Sequence, residues 1–544
     1  MNGHGQEGHE SDGPAEITTD PQPCPYPTRA ERRRAEPAWH RQDEPPIGLG
    51  GATFSLSLLL TAAGAVVPGV AFLAAGRRRL GTALLTLTLL GLGVLIWLAT
   101  AGQRTALHLA VSPDALMLLG LALPVLALIW AVIVVSGYGA VRPLRSNPRQ
   151  RGISAAVVSL LCLAVVLPTV VASRYAFVQH DLISTVFAVD KQSATTPDDV
   201  SAADPWAGQA RVNLLLLGGD GAVGREGVRT DTVILASIDT ESGDTVLFSL
   251  PRNLENLPFP PGPLREVYPD GFEVGGGEAL LNAVYGTVPA VYPDILGPTD
   301  DLGADALKLG VGEALGLNVD YYMLVNLEGF RQLADALGGV DVNINSWIPI
   351  GGVDSLGQRP DDYLEPGPDR HLNGFETLWF ARGRYGSSDY DRMARQRCVV
   401  NAVINQADPV TVLSQYQELA ATTKDILSTD IPQDLLPAFV DLSLRIKDAR
   451  TSSVVFDNSV ITPAYADYDL IRETVRQALE PPDPSPEPSS SGSTTSPSAT
   501  SAPPTEDPAQ TSAPPTAQSL ESSCAYDRVA AEAALEQGKP PTRR

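Results

Sequence analysis

Four charge-free apolar stretches, at 54–76, 80–101, 115–137 and 153–173, constrain this chain more than any other feature. Each approaches the ~20 residues that a helix needs to cross ~30 Å of hydrocarbon. Buried core helices are the alternative, and four such runs within one short block argue against it. None reads as a cleavable signal peptide, because the first begins too far into the chain and the others follow it. Between Ile47 and Tyr175 the sequence carries nine Arg against one Asp (Asp114), a net +8, so the rest of a chain of overall charge −24 holds −32. A mean hydropathy of +0.00 therefore averages a greasy, Arg-punctuated block with acidic flanks. This partition excludes a single soluble globule. It also argues against a general nucleic-acid binder, since phosphate binding of that kind needs a basic domain.

The loops set an orientation. Arg77, Arg78 and Arg79 follow the first stretch, and Arg142, Arg145, Arg149 and Arg151 follow the third, whereas the second loop has only Arg104. Loops one and three then face the cytoplasm, and everything after residue 175 lies outside. Four full spans would place the N-terminus outside too, against its own cluster Arg32-Arg33-Arg34. Pro68-Gly69 in the first stretch suits a re-entrant hairpin, which would return the N-terminus to the cytoplasm. The membrane domain, 47–175, is thus expected to hold three to four apolar helices.

Residues 1–46 read as a disordered tail, with the Arg cluster either a topology and lipid-headgroup signal or a solvated run. Residues 176–209 read as a stalk. A folded region follows at 210–478, with strands expected at Asn213–Leu217, Thr232–Ile238, Thr245–Leu250, Tyr321–Leu327 and Val340–Ile344. Helices are expected at Glu328–Leu337, Gly374–Phe380 and Asp391–Gln406. Such alternation predicts one α/β core. Residues 479–544 form a Pro/Ser/Thr-rich tail, disordered by composition, that is either a tether into the wall or dispensable, with one short helix at Asp527–Glu536.

Three clusters carry chemistry. In the first, an apolar strand ends in Gly218-Gly219-Asp220, and Arg229 and Asp231 stand just before the next strand. Open α/β sheets bind ligands at such strand ends. Two carboxylates can share one Mg²⁺, whose other ligands are usually water and phosphate oxygens. An exposed turn with a surface ion pair is the bland alternative. In the second, Ser249-Leu-Pro-Arg-Asn253 ends another strand, and Pro251 stiffens the corner from which Arg252 projects. In the third, Arg382, Arg384, Arg392, Arg395 and Arg397 crowd one short segment of an acidic domain, with Arg392 and Gln396 on one helical face. Guanidinium forks bind phosphate bidentately, so the segment reads as an anion site or as the basic outer face of a helix.

Familiar hydrolase and nucleotide signatures are missing: there is no GxSxG elbow and no P-loop. His371 alone represents His in the outer domain and reads as a surface turn residue. The four Cys include no CxxC pair, which argues against a disulfide scaffold or structural zinc. Cys398 and Cys524 both fall outside, where they either pair or leave Cys398 free on its helix.

Seven motifs in order resemble the LytR–CpsA–Psr (LCP) family: NLLLLGGD (213–220), RTDT (229–232), SLPRN (249–253), LNAVY (281–285), the 319–342 segment, LNGFETLWFARGR (372–384) and DRMARQR (391–397). The chain departs in having Asn253 where the family commonly has Asp, and in lacking a recognisable second outer domain. The resemblance implies an α-β-α domain with a central mixed sheet, behind transmembrane helices. It implies transfer of a glycan-1-phosphate from a polyprenyl-pyrophosphate carrier to peptidoglycan, releasing polyprenyl phosphate. Residue by residue, Asp220 and Asp231 match the Mg²⁺ carboxylates, and Arg229, Arg252, Arg382, Arg384, Arg392 and Gln396 match the pyrophosphate-binding set. Catalysis would rest on Asp220, Arg229, Asp231 and Arg252. An apolar lipid tunnel would be lined by runs 280–288, 306–327 and 436–444. The competing expectations are a polyprenyl-pyrophosphate pyrophosphatase and a non-enzymatic lipid-binding envelope regulator. The partners implied are the lipid-linked glycan, peptidoglycan and the bilayer, with no nucleic acid.

Overall fold

The computed structural model describes residues 53–143, 146–187, 191–197, 199–220, 229–275, 277–406, 427–480 and 517–543. The expected N-terminal tail, Arg145 and most of the Pro/Ser/Thr tail lie outside these. Two compact units divide the chain, one of residues 1–85 with 136–157, the other of 86–135 with 158–544.

In the first unit the leading apolar stretch breaks into α1 (Phe54–Val66) and α2 (Val70–Ala74). Gly69, at φ +109°, makes the turn, and a Cβ there would strike the Gly81 carbonyl and approach Leu85 N to 2.9 Å. The stretch is thus a short hairpin. Three helices are long and apolar enough to cross a membrane: α3 (Arg78–Ala99), α5 (Pro113–Val141) and α6 (Pro148–Val186). A short α4 (Gln103–Val111) joins α3 to α5.

The second unit is built on a mixed sheet. Its strands are β1 (Arg211–Gly219), β2 (Thr230–Asp239), β3 (Thr245–Leu250), β4 (Tyr321–Asn326), β9 (Leu427–Thr429), β10 (Thr451–Val455) and β11 (Gln518–Ser519), in the order β11-β10-β3-β2-β1-β4-β9. β1–β4 and β3–β10 are parallel pairs and the other pairs are antiparallel. The central strands are apolar on both faces because both are covered. Leu215, Leu217, Leu235, Phe248 and Tyr322 pack on one face against α7 (Pro263–Val267), α8 (Leu281–Val291), α9 (Leu302–Leu315) and α14 (Tyr468–Leu479). Their neighbours Leu214, Leu216, Ile234, Leu247 and Tyr321 face α13 (Leu436–Asp448), α15 (Leu520–Ser523), Leu116 of α5 and Ile183 of α6. The runs 280–288 and 436–444 therefore lie on opposite faces of the sheet. They do not line one tunnel, because the sheet stands between them.

A third cluster joins α10 (Leu327–Ala336), the pair β5 (Val340–Ile344) and β8 (Gly367–Leu372), the pair β6 (Ile348–Ile350) and β7 (Asp362–Leu364), α11 (Gly374–Arg382) and α12 (Asp389–Gln406). His371 sits within β8 rather than in a turn, with Nδ1 2.7 Å from Asp341.

The expected stalk is largely bound. α6 runs on to Val186, and the residues after it dock on the folded domain. Asp305, 1% exposed, accepts from the hydroxyls of Ser193 and Thr195 and from the Ala194 N–H, while Lys191 donates to the Thr429 carbonyl. The chain's far end also returns. β11 extends the sheet edge, Cys524 forms a disulfide with Cys398 of α12, and the last helix, α16 (Arg528–Glu536), is N-capped by Asp527. Asn343 and Trp347 donate to the Cys524 and Ala534 carbonyls, and Lys539 pairs with Asp362.

Candidate functional site

β1, β2 and β3 bring their motif residues to one end of the sheet. Opposite Gly218-Gly219, β2 supplies Thr230-Asp231-Thr232, so Asp231 is the extra residue of a bulge. Bulges re-aim side chains beside active sites. Gly218 permits it: a Cβ there would lie 2.9 Å from Thr232 Cβ. Asp220, at the end of β1, donates its N–H to the Arg229 carbonyl (3.0 Å) and accepts the Arg229 N–H on Oδ1 (2.9 Å).

Asn282 joins the first two motifs. Its N–H donates to the Arg252 carbonyl (3.1 Å), its Nδ2 to Asp231 Oδ1 (3.0 Å), and its Oδ1 accepts from Arg229 Nη2 (3.2 Å). Arg252 Nη1 also donates to Asp231 Oδ1 (2.9 Å), and Glu278 holds Arg229 Nη2 at 3.0 Å. Burial pushes the Asp231 carboxyl up. The bonds from Arg252 and Asn282, with the charges of Arg252 and Arg392, more than offset that and hold it below the ordinary carboxylate range. Asp231 is therefore anionic.

The third motif folds onto the same place. α12 opens with a reciprocal cap: Ser388 Oγ accepts the Asp391 N–H, and Asp391 accepts the Ser388 N–H. This leaves Asp389 in the first turn, aimed at three guanidiniums. Its Oδ1 lies 3.4 Å from Arg252 Nε and 3.2 Å from Arg384 Nη1, and its Oδ2 lies 3.0 Å from Arg392 Nη2. The Arg392 side chain is 4% exposed and also donates to the Asp231 carbonyl. Gly383 lets the Arg382–Arg384 turn pass close to β6, since a Cβ there would lie 2.5 Å from the Pro349 carbonyl.

The structure thus brings together Asp220, Arg229, Asp231, Arg252, Arg384 and Arg392. Gln396 stands one turn beyond Arg392 on α12. Arg382 lies with its guanidinium over the Trp379 ring, 4.9 Å from the centroid. Arg395 and Arg397 serve the fold. Arg395 donates to the Phe380 and Gly383 carbonyls, and Arg397 to Ser453 of β10; burial pushes both down to about 10, which leaves them charged at neutral pH. Sequence reasoning missed Asn282, Glu278 and Asp389. Asp389 had a usable signal, three residues before Arg392 at a helix start.

Among the described residues, no group of three or more His, Cys, Asp or Glu side chains gathers where it could hold a metal ion. Asp220 at the end of β1 and Asp231 at the bulge of β2 are the carboxylates that could hold a hard cation. The guanidinium Nε–H groups of Arg229 and Arg392 are buried without an acceptor among the described residues. Their donors suit an anion.

The LytR_cpsA_psr family model matches residues 177–469. The chain belongs to this family. It is 27% identical over 249 residues to the polyisoprenyl-teichoic acid–peptidoglycan teichoic acid transferase TagU of Bacillus cereus, covering 45% of this chain and 67% of that protein. The Oceanobacillus iheyensis protein of the same description is 31% identical over 229 residues, covering 41% of this chain and 60% of that one. The solved structure of B. subtilis TagV aligns with 49% of this LCP-family chain and 96% of its own, at 20% identity and a TM-score of 0.35.

Proposed function

We propose that the protein is a membrane-anchored phosphotransferase that moves a glycan-1-phosphate from a polyprenyl-pyrophosphate carrier to peptidoglycan. The observation that carries this is the convergence of Arg252, Arg384 and Arg392 on the single carboxylate Asp389, beside Asp231. Family membership supports it. A diphosphate offers anionic oxygens to these guanidiniums, as the Asp389 carboxylate does now. Arg229, Arg252, Arg384 and Arg392 stand against Asp220, Asp231, Asp389 and Glu278, so the cluster is close to neutral before a substrate arrives. A multiply charged diphosphate then needs added positive charge, which a Mg²⁺ ion would supply if held by Asp220 and Asp231.

An acceptor sugar hydroxyl attacks the glycan-side phosphorus. The new O–P bond forms, the bond to the bridging oxygen breaks, and polyprenyl phosphate leaves with the bridging oxygen while the hydroxyl proton is released. The chain's own residues bind, align and neutralise charge, which is what phosphoryl transfer demands most. The pyrophosphate is already energised, so no nucleotide is required.

The membrane arrangement supports an extracytoplasmic site. α4 and the adjoining start of α5 pack on the folded domain, with His108 Nε2 3.1 Å from Asp441 of α13 and Leu116 in the same apolar cluster as Ile183 of α6. These helix ends have few positive charges. In the sequence, Arg77–Arg79, Arg142, Arg149 and Arg151 flank the other turns between the apolar helices, the cytoplasmic signature. The Cys398–Cys524 disulfide fits an oxidising compartment.

The test is purified full-length protein with a lipid-pyrophosphate-linked glycan, Mg²⁺ and peptidoglycan. Glycan should join the polymer with release of polyprenyl phosphate, and Arg252→Ala should reduce this at least ~100-fold, the usual cost of one lost transition-state partner. Undiminished transfer by Arg252→Ala and Asp231→Ala would remove the reactive site from this cluster. Equal release without peptidoglycan would make the enzyme a pyrophosphatase.

A further inference from the structure

The reactive cluster leans on a helix that its own backbone holds poorly. Asn282 bonds Asp231, Arg229 and the Arg252 carbonyl from the first turn of α8. Leu280, at the N-cap of α8, has no side-chain bond to give the helix start. Pro289, inside the helix, has no N–H to offer the Tyr285 carbonyl four residues back. The register of α8 is therefore set by what it docks against.

Tyr285 makes that dock. It follows Asn282 by one helical turn and meets the start of α9 at two points. Its hydroxyl donates to Asp301 Oδ2 (2.8 Å). Its carbonyl rests against Gly303, where a Cβ would strike it. Burial first, and then the Asp301 charge, pushes the hydroxyl far above its ordinary value, so it remains a donor.

The α9 side of the contact is firm. Asp301 Oδ1 caps α9 by accepting the Ala304 N–H (3.0 Å), and Oδ2 also accepts the Tyr322 hydroxyl of β4 (3.1 Å). One turn on, the buried Asp305 takes the bonds from Ser193, Ala194 and Thr195 and a further one from the Thr299 hydroxyl (2.6 Å). Asp300 and Gln192 exchange two more, both at 2.9 Å. The start of α9 is thus tied to the sheet and to the segment that follows α6, and a lost contact is taken up by α8.

We propose that Tyr285 is a positioning residue for the transfer: its hydroxyl on Asp301 fixes α8, and with it the place of Asn282 against Asp231, Arg229 and Arg252. This deepens the transferase function proposed above and rests on it. Tyr285 touches no reacting atom. It acts through Asn282, so its loss matters only while Asn282 is present. A displacement of about 1 Å is costly there, because phosphoryl transfer depends on alignment.

The experiment uses the full chain in detergent with a lipid-pyrophosphate-linked glycan, Mg²⁺ and peptidoglycan. It compares Tyr285→Phe, Tyr322→Phe, Asn282→Ala and the double variant of Tyr285→Phe with Asn282→Ala. Phe keeps the ring and removes only the hydroxyl. Tyr285→Phe should slow single-turnover transfer about tenfold, while affinity for inorganic pyrophosphate, read by calorimetry, stays within about threefold of the parent and reports a folded site. Tyr322→Phe removes a donor from the same carboxylate oxygen, but from β4, and should keep its rate within about twofold. In the double variant the Tyr285 change should add less than about twofold to the loss from Asn282→Ala, since residues acting through one another are not additive. Rates are read well below every melting temperature. If Tyr285→Phe transfers as the parent does, if Tyr322→Phe slows transfer equally, or if the two losses multiply in the double variant, the positioning role is wrong while the transferase stands. If Tyr285→Phe loses pyrophosphate affinity as steeply as rate, the hydroxyl is a strut of the anion site and the positioning role is again wrong. A parent chain that transfers no glycan overturns the transferase function and this inference with it.

Discussion

Asp389 lies one helical turn before Arg392 and holds its Nη2 at 3.0 Å, while the other carboxylate oxygen reaches Arg384 and Arg252. One side chain therefore fixes three guanidiniums from three separate segments. Its removal should split two quantities that usually move together. Asp389→Ala deletes a negative charge from a near-neutral cluster, so inorganic pyrophosphate should bind a few-fold tighter. The same change frees three arginines from their common anchor, so transfer should slow by roughly 30-fold, about 2 kcal/mol of lost positioning. Calorimetry with pyrophosphate and single-turnover transfer check the two halves. A loss of pyrophosphate affinity together with rate would assign Asp389 a purely structural part.

Much of this cluster was legible because short motifs sat at strand ends. An apolar strand closing in Gly-Gly-Asp, and a Pro-Arg corner after another, fix where Asp220 and Arg252 stand without knowledge of the rest. Asn282 was not legible, because its value comes from a helix N-terminus docking on the Arg252 loop, a contact of distant segments. Nor could sequence sort the arginines of 382–397. Arg392 and Arg397 are on one helix, yet one faces Asp231 and the other Ser453. Only packing separates a ligand donor from a strut.

The protonation of Asp231 gives a pH prediction with a definite sign. Its folded pKa lies below that of an unfolded Asp, ~3.9. The folded state then binds fewer protons, so the group's contribution to stability is present above about pH 4 and is lost as pH falls through the depressed value. Binding of Mg²⁺ and pyrophosphate should survive into the range where an ordinary Asp is half protonated. Asn282→Ala removes one of the bonds that depress it and should move the acid limb to higher pH. Binding measured across pH 3–6 for the two proteins checks this, and coincident acid limbs would show that Asn282 does not tune Asp231.

The α1–α2 hairpin predicts the topology. With three crossings the N-terminus and the folded domain should lie on opposite sides of the membrane. Alkaline phosphatase fused after Val186 should be active, and the same fusion after Val141 should be inactive. A fluorescent protein fused ahead of Met1 should glow from the cytoplasm. An inactive Val186 fusion would place the large domain in the cytosol and end the wall-directed function. Pro68-Gly69 left both a span and a hairpin open in sequence, because the positive φ that Gly69 adopts at the turn is set only in the folded chain.

The C-terminal strap was only half visible in sequence. The cysteines and the helix after Asp527 were, but a two-residue strand such as β11 leaves no periodic signal, and its partner β10 is five residues long. The disulfide spans 126 residues and secures a segment that otherwise depends on that short strand, the buried Leu520 and Ala531, and side-chain bonds from Asn343 and Trp347. Cross-links closing loops of this size stabilise by roughly 2–5 kcal/mol, chiefly by restricting the unfolded chain. Cys524→Ser should therefore lower the melting temperature and expose the strap to protease. Dithiothreitol should do the same to the parent chain and nothing further to the variant. The effect should also reach the site, because Cys398 lies on the helix that supplies Arg392 and Gln396, so pyrophosphate affinity should fall alongside stability. A Cys524→Ser protein that melts like the parent, and whose strap resists protease equally, would show that the non-covalent contacts alone hold the chain's end in place.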